Sequence, residues 1–205
     1  MYTILNDINL IPVLRKVPYE KSEEVIRALI DGGIRAIEIT LDTVKAIEMI
    51  QQAKEQFGHQ VLVGAGTVLT VSQCEEAIQA GAQFIVSPSL NLEVVKYALS
   101  ANIPVIPGVF TPSEMQTAYA AGAETVKLFP ASSLGPKFIK DVKGPLAHIQ
   151  IMTTGGISIE TAKSYLEAGA MAVGAGSDLL KKEWIQKNEW VLLAKEVKAW
   201  LEVIK

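Results

Sequence analysis

A lysine stands inside a run otherwise suited to a buried strand: "TVKLFP" (125–130) sets Lys127 between Val126 and Leu128. Three other apolar runs carry polar residues in the same manner. "AIEITL" holds Glu38 and Thr40, "IPVLR" ends on Arg15, and "IQIMTT" ends on Thr154. Side chains alternate between the two faces of a strand. If Ile37, Ile39 and Leu41 take one face, Glu38 and Thr40 take the other. The same parity sets Lys127 against Val126 and Leu128, Arg15 against Leu14, and Thr154 against Ile149 and Ile151. Lysine, glutamate and arginine are seldom buried unless paired or put to use. A neutral amine shielded from water can attack a carbonyl and form a Schiff base. A carboxylate beside it can move the protons of that reaction. Burial disfavours a lone ammonium, whereas a neighbouring carboxylate favours it. Each residue also has a plain structural reading. Lys127 could snorkel to the rim or form a structural ion pair with Glu38, Arg15 could be an exposed strand-end residue, and Thr154 could be a turn residue before glycines.

The elements that must position these groups alternate along the chain. Strand-like runs at 11–15, 35–41, 61–66, 83–88, 103–109, 125–130, 148–156 and 171–177 are each followed by a helical pattern. The helical stretches are 19–33, 44–58, 71–81, 92–101, 112–122, a weaker one near 135–142, 159–169 and a terminal one over 187–203. Several end in "GG" or "AG", the signature of a helix stop. The strands are apolar on both faces, as in a parallel sheet covered by helices. Eight such units with no long linker predict a closed (β/α)8 TIM barrel, one domain spanning 1–205. An open doubly wound sheet is the alternative, but no G-x-G-x-x-G follows the first strand. In a barrel, alternate residues face the interior or the helices, and the C-terminal ends of the strands carry the active site. The parity above therefore sends Lys127, Glu38, Arg15 and Thr154 inward from four strands. Two glycine turns, "TTGGIS" (153–158) and "GAGSDLL" (174–180), follow the last two strands, where such barrels often bind phosphate. "SDLLKK" (177–182) is the candidate for the short extra helix of that site. Simple tight turns are the plainer reading of both.

Composition narrows the classes. The 205 residues are 49% hydrophobic and 20% charged, with a net charge of −3. That balance gives no basic face for nucleic acid or an anionic membrane. No run approaches the length of a membrane span, and the first residues lack a signal-peptide pattern. Cys74 is the single cysteine, so no internal disulfide or Cys-rich zinc site is expected, in keeping with the cytoplasm. The two histidines, His59 and His148, are far apart in sequence, and no metal or cofactor is expected.

"IEIT" with Glu38, "VGAGTVL" with Thr67, "FIVSP" with Pro88, "VKLFPAS" with Lys127 and "TTGGIS" with Thr154 occur in this order. Together they resemble the class I 2-keto-3-deoxy-6-phosphogluconate (KDPG) and 2-keto-4-hydroxyglutarate (KHG) aldolases, from about Arg15 to Leu180. The resemblance implies a barrel, usually a homotrimer. It implies cleavage of KDPG to pyruvate and glyceraldehyde 3-phosphate, and/or of KHG to pyruvate and glyoxylate, without metal. The epimeric 2-keto-3-deoxy-6-phosphogalactonate is an alternative substrate. The resemblance casts Lys127 as the Schiff-base lysine and Glu38 as the general acid/base. It places Thr67 near the pyruvyl carboxylate and Pro88, Phe129 and Thr154 in the pocket, and it gives the phosphate to the backbone of Gly155, Gly156, Gly176 and Ser177. One departure stands out. Well-known members read E-V-T-L-R-T where this chain reads "EITLDT", so a carboxylate-holding arginine is replaced by Asp42. Arg15 is the expected substitute. A phosphosugar isomerase or epimerase and a silent phosphometabolite-binding barrel are the rival readings.

Overall fold

The computed structural model describes Leu5 and residues 7–205. Nine parallel strands form a single sheet: β1 (Leu10–Leu14), β2 (Ala36–Thr40), β3 (Leu62–Gly66), β4 (Phe84–Val86), β5 (Val105–Ile106), β6 (Gly108–Val109), β7 (Thr125–Leu128), β8 (Gln150–Thr154) and β9 (Ala172–Ala175). The strand order runs β5-β4-β3-β2-β1-β9-β8-β7-β6. β5 and β6 are two halves of the single strand expected over 103–109, so the sheet curls into a nearly closed barrel. Pro107 divides them. It has no N–H to give the ladder, but its carbonyl still accepts the Lys127 N–H at 2.8 Å. β5 thus pairs with β4 and β6 with β7, and the ring meets at the proline.

The helices are α1 (Tyr19–Gly32), α2 (Ala46–Phe57), α3 (Val71–Gln79), α4 (Leu92–Ser100), α5 (Pro112–Ala120), α6 (Gly135–Lys143), α7 (Ile159–Glu167), α8 (Lys182–Lys187) and α9 (Trp190–Val203). Thr70 with Gln73 and Thr111 with Glu114 form capping boxes that start α3 and α5 directly after their strands. The recurrent "AG" endings put Gly81, Gly122 and Gly169 at φ of 99°, 103° and 106°. Only glycine takes that conformation cheaply, and it turns the chain from helix back into strand. The short helix expected over 177–182 is not formed. Residues 177–180 make a turn, Lys181 is extended, and α8 begins at Lys182. The turn forms because the amides of Leu179 and Leu180 both bond back to the Gly176 carbonyl.

Two apolar clusters separate along the strand parity. The larger lies between sheet and helices and takes Leu14, Ile37, Ile39, Val126, Leu128 and Ile151. The smaller fills the barrel floor with Ile11, Ala36, Phe84, Ile106, Met152 and Ala172. One inward step further along β2, β8 and β9, the lining turns polar or becomes glycine. Glu38 follows Ala36, Thr154 follows Met152, and Gly174 follows Ala172. Register pairs Val13 with Glu38, Glu38 with Gly64, and Gly108 with Lys127. The glycines make room. A methyl on Gly66 would run into the Glu38 carboxylate, and one on Gly108 into the Pro88 backbone.

Because that last clash is with backbone, the neighbour cannot rotate away. Gly108→Ala should therefore lower stability by about 1–3 kcal/mol. The midpoint of urea unfolding reads this, and an unchanged midpoint would show that β6 shifts aside freely.

Candidate active site

β2 and β7 carry the central pair from opposite sides of the barrel. Lys127 Nζ lies 3.4 Å from Glu38 Oε1, with the two side chains 4% and 0% exposed. Their flanking residues hold them there, since Ile37, Ile39, Val126 and Leu128 are locked into the helix-facing core. The Phe129 ring stands 5.4 Å from Nζ and walls one side. Glu38 Oε2 and Thr154 Oγ1 are buried, and neither has a hydrogen-bond partner; they are the two such side-chain atoms among the described residues. An unmet buried acceptor or hydroxyl costs about 1–3 kcal/mol. Both atoms belong to the layer that sequence parity pointed inward. The hydroxyl of Thr154 projects over Gly174, where any side chain would displace it.

The rim above this layer is held by β1 and β3. Arg15 Nη2 donates to Thr67 Oγ1 at 3.0 Å, and Arg15 Nε lies 3.6 Å from Asp42 Oδ2. Thr67 adopts a φ of 58°, a conformation that strains a β-branched residue. It directly follows Gly66, which lies against the Glu38 carboxylate. The Arg15 loop is pinned on both flanks. Thr40 Oγ1 donates to the Leu14 carbonyl at 3.3 Å, and Thr43 Oγ1 accepts the Lys16 N–H at 2.9 Å. The two threonine hydroxyls are 3.2 Å apart and bond to each other. Sequence reasoning turned Thr40 inward but passed over Thr43. Its signal is slight: a threonine three residues after another, just past a strand end.

The glycine turns meet at the far side of the rim. Gly155 and Gly156 have φ of 99° and 70°. Gly155 accepts the Ser132 N–H at 3.0 Å and packs against Phe129 and Pro130. Asp178 Oδ2 accepts the Ile159 N–H at 3.2 Å, which ties the turn carrying Gly176 and Ser177 to the start of α7. Of the expected pocket residues, Pro88 is the one the geometry links least directly. Its backbone abuts Gly108, the register partner of Lys127. Two cavities of about 60 and 230 Å³ open at the opposite end of the barrel, and no expected site residue lines them. The candidate site therefore lies at the other end of the barrel from both cavities. Among the described residues, no three His, Cys, Asp or Glu side chains come together. Cys74 is buried on the inner face of α3, and burial pushes its thiol up to about 11.

A parallel barrel with a buried lysine–carboxylate pair below an arginine rim has the layout of an aldolase-class enzyme. The chain belongs to the KDPG and KHG aldolase family, whose model matches residues 1–195. It is 34% identical over 197 residues to the 2-dehydro-3-deoxy-6-phosphogalactonate aldolase of Escherichia coli K12, covering 96% of each chain. It is 35% identical over 191 residues to the 2-dehydro-3-deoxy-phosphogluconate aldolase of Treponema pallidum, covering 93% of this chain and 90% of that one. Its fold matches the crystal structure of a KDPG aldolase from Legionella pneumophila, with pyruvate captured as a covalent carbinolamine. That match has a TM-score of 0.90 at 31% identity, over 96% of this chain and 95% of the other.

Two outcomes follow from burial. Lys127→Met strips the Glu38 carboxylate of its one partner and should cost about 3–5 kcal/mol of unfolding free energy. Adding Glu38→Leu should recover much of that loss, because both buried charges are then gone. Equal losses in the single and double variants would mean the pair is not coupled. Cys74, at about one part thiolate in a thousand at pH 8, should resist iodoacetamide in the native protein and react once unfolded.

Proposed function

We propose that this chain is a Schiff-base aldolase that cleaves a 2-keto-3-deoxy-6-phospho sugar acid, with Lys127 and Glu38 as its catalytic residues. KDPG, giving pyruvate and glyceraldehyde 3-phosphate, is the main reading. KHG, giving pyruvate and glyoxylate, is a further substrate on this reading. The phosphogalactonate epimer is a second one, favoured by the 34% identical E. coli relative. The observation that carries the proposal is the 3.4 Å approach of a buried amine to a buried carboxylate whose second oxygen has no partner.

The chemistry follows from that arrangement. The Lys127 amine, in its neutral form, attacks the C2 ketone, and Glu38 supplies the proton with which water leaves. The product is an iminium at C2. Glu38 then takes the proton of the C4 hydroxyl, the C3–C4 bond breaks, and its electrons move into the iminium. The aldehyde departs and the enamine of pyruvate remains on Lys127. Protonation at C3 and hydrolysis of the iminium release pyruvate and restore the amine. A protonated imine is a strong electron sink in a site shielded from water. Arg15, held by Thr67, takes the substrate carboxylate through its remaining guanidinium donors. Phe129, Pro88 and Thr154 shape the pocket, and the amides of Gly155, Gly156, Gly176 and Ser177 take the phosphate. Successive amides in a glycine turn are suited to an anion.

The proposal extends to one domain over 1–205, supported by a continuous sheet–helix core. It also includes a homotrimer in the cytoplasm. The trimer rests on the family resemblance, with Leu69 and Phe110 offering exposed apolar groups just past β3 and β6. No helix among the described residues is long and apolar enough to cross a membrane. Light scattering should return three times the chain mass.

Borohydride with pyruvate tests the reaction. One reduced pyruvyl group should appear on Lys127 by mass spectrometry and be absent from Lys127→Met. A phosphosugar isomerase or a silent binder gives no adduct, and that result would sink the aldolase reading. Arg15→Ala should raise the pyruvate KM by about tenfold or more, the loss of one charged hydrogen bond. An unchanged KM would remove Arg15 from the carboxylate site.

A further inference from the structure

We propose that Asp42 is a specificity-determining residue that turns this site against substrates with a second carboxylate and toward a hydroxylated aldehyde half. The inference rests on the aldolase reading above and decides between its two substrate classes.

The charge arrangement at the rim carries it. Arg15 is the residue placed to meet the substrate carboxylate, but part of its guanidinium is already engaged. Nη2 donates to Thr67, and Nε faces Asp42 at 3.6 Å. The donors left over suffice for one carboxylate in a bidentate grip. With Asp42 in place, the Arg15–Asp42 pair is neutral before substrate arrives and carries one negative charge once a keto acid is bound. A second substrate carboxylate near the rim meets an ionised acid beside an arginine whose charge is already shared.

The distal half of the substrate leaves the buried pair through the rim that Arg15 and Asp42 border, so a second charge enters their field. C2 bonds to Lys127 and the C4 hydroxyl faces Glu38, so C5 leads outward from Glu38. Asp42 lies four residues beyond Glu38, on the turn that continues β2 toward the rim. In a 2-keto-4-hydroxy dicarboxylate, C5 is itself the carboxylate. In a six-carbon sugar acid, C5 carries a neutral hydroxyl, and the phosphate on C6 extends away from Asp42 to the glycine turns after β8 and β9 on the far side of the rim. The Arg15 and Asp42 side chains are 46% and 37% exposed, and an ion pair so open to water adds little stability. Its consequence is the field it presents to the incoming ligand. Thr40 and Thr43 fix both of its arms, since they bind the backbone on either side of Arg15 and flank Asp42 in the chain.

The test runs the reaction in the direction of synthesis, with pyruvate and either glyoxylate or D-glyceraldehyde 3-phosphate as acceptor. Wild-type protein should favour glyceraldehyde 3-phosphate. Asp42→Asn keeps the shape and removes the charge. It should raise the ratio of kcat/KM for glyoxylate over glyceraldehyde 3-phosphate about tenfold, a change of about 1.4 kcal/mol. Asp42→Ser, smaller and also neutral, should shift the ratio the same way. If Asp42 merely positions Arg15, both acceptors lose rate together, the pyruvate KM rises, and the ratio stays fixed. That outcome overturns the proposal, as does a ratio unmoved with no loss at all. Borohydride trapping of pyruvate separates the two levels. A Lys127 adduct with an unmoved ratio refutes the role of Asp42 alone, whereas no adduct in the wild type refutes the aldolase reading and this inference with it.

Discussion

The buried contact between Lys127 and Glu38 sets the terms for the rest of the barrel. Two charges taken out of water cost several kcal/mol each, and their mutual attraction seldom does more than balance that cost. At 3.4 Å, with one carboxylate oxygen unpartnered, this pair is poorly made for stability. A tighter and drier arrangement was available in principle, because the layer directly beneath is closed by Ile11, Phe84, Ile106 and Met152. The fold instead concentrates its apolar filling in the floor and sets Glu38, Lys127 and Thr154 just above it, with Val13 and Val86 as apolar neighbours. Glycines at 64, 66, 108 and 174 line that layer, and side chains there would collide with Phe84, Glu38, the Pro88 backbone and Thr154. The strands thus carry glycine rather than a larger side chain at these positions around the pair.

A parallel barrel suits this division because its two faces obey one alternation. The residues that anchor Lys127 and Glu38 are their immediate neighbours, and these belong to the larger core between sheet and helices. The polar groups therefore need no support from their own side of the sheet. Their stability derives from Val126, Leu128, Ile37 and Ile39 on the other. This explains how two buried ionisable groups are held in place from the helix side of the sheet.

That same alternation made the inward placement of much of the candidate site legible in the sequence. The inward direction of Glu38, Lys127 and Thr154 follows from period two and from the apolar identity of their neighbours. The order of the strands follows from the helix stops between them. What parity could not supply are features that depend on particular local geometry. Pro107 splits a strand because its missing N–H falls where the ladder must close, and an unbroken apolar run does not reveal that. The turn at 177–180 replaces an expected helix because Leu179 and Leu180 bond to the Gly176 carbonyl. Thr43 is important through what it accepts, the Lys16 N–H, and a threonine just past a strand carries no mark of such a partner. The glycines of the inner layer were visible as residues, but not as the space they leave for Glu38.

The interior pair and the rim are joined by a short physical path. Lys127 on β7 touches Glu38 on β2, and Glu38 lies against Gly66 at the end of β3. The next residue, Thr67, takes a strained φ and receives Arg15 from the β1 loop, and Arg15 in turn faces Asp42 above β2. On the proposed reading, bond making belongs to the buried start of this path, where Ile37, Ile39, Val126 and Leu128 anchor the pair from the helix side. Ligand discrimination is placed at its exposed end, where a single carboxylate reshapes the field without touching the core. Substitution at position 42 therefore alters what the rim accepts while the amine, the carboxylate and their anchoring strands stay as they are. In this way one barrel framework, with its chemistry fixed by strand parity, can meet keto acids that differ only beyond the bond being broken.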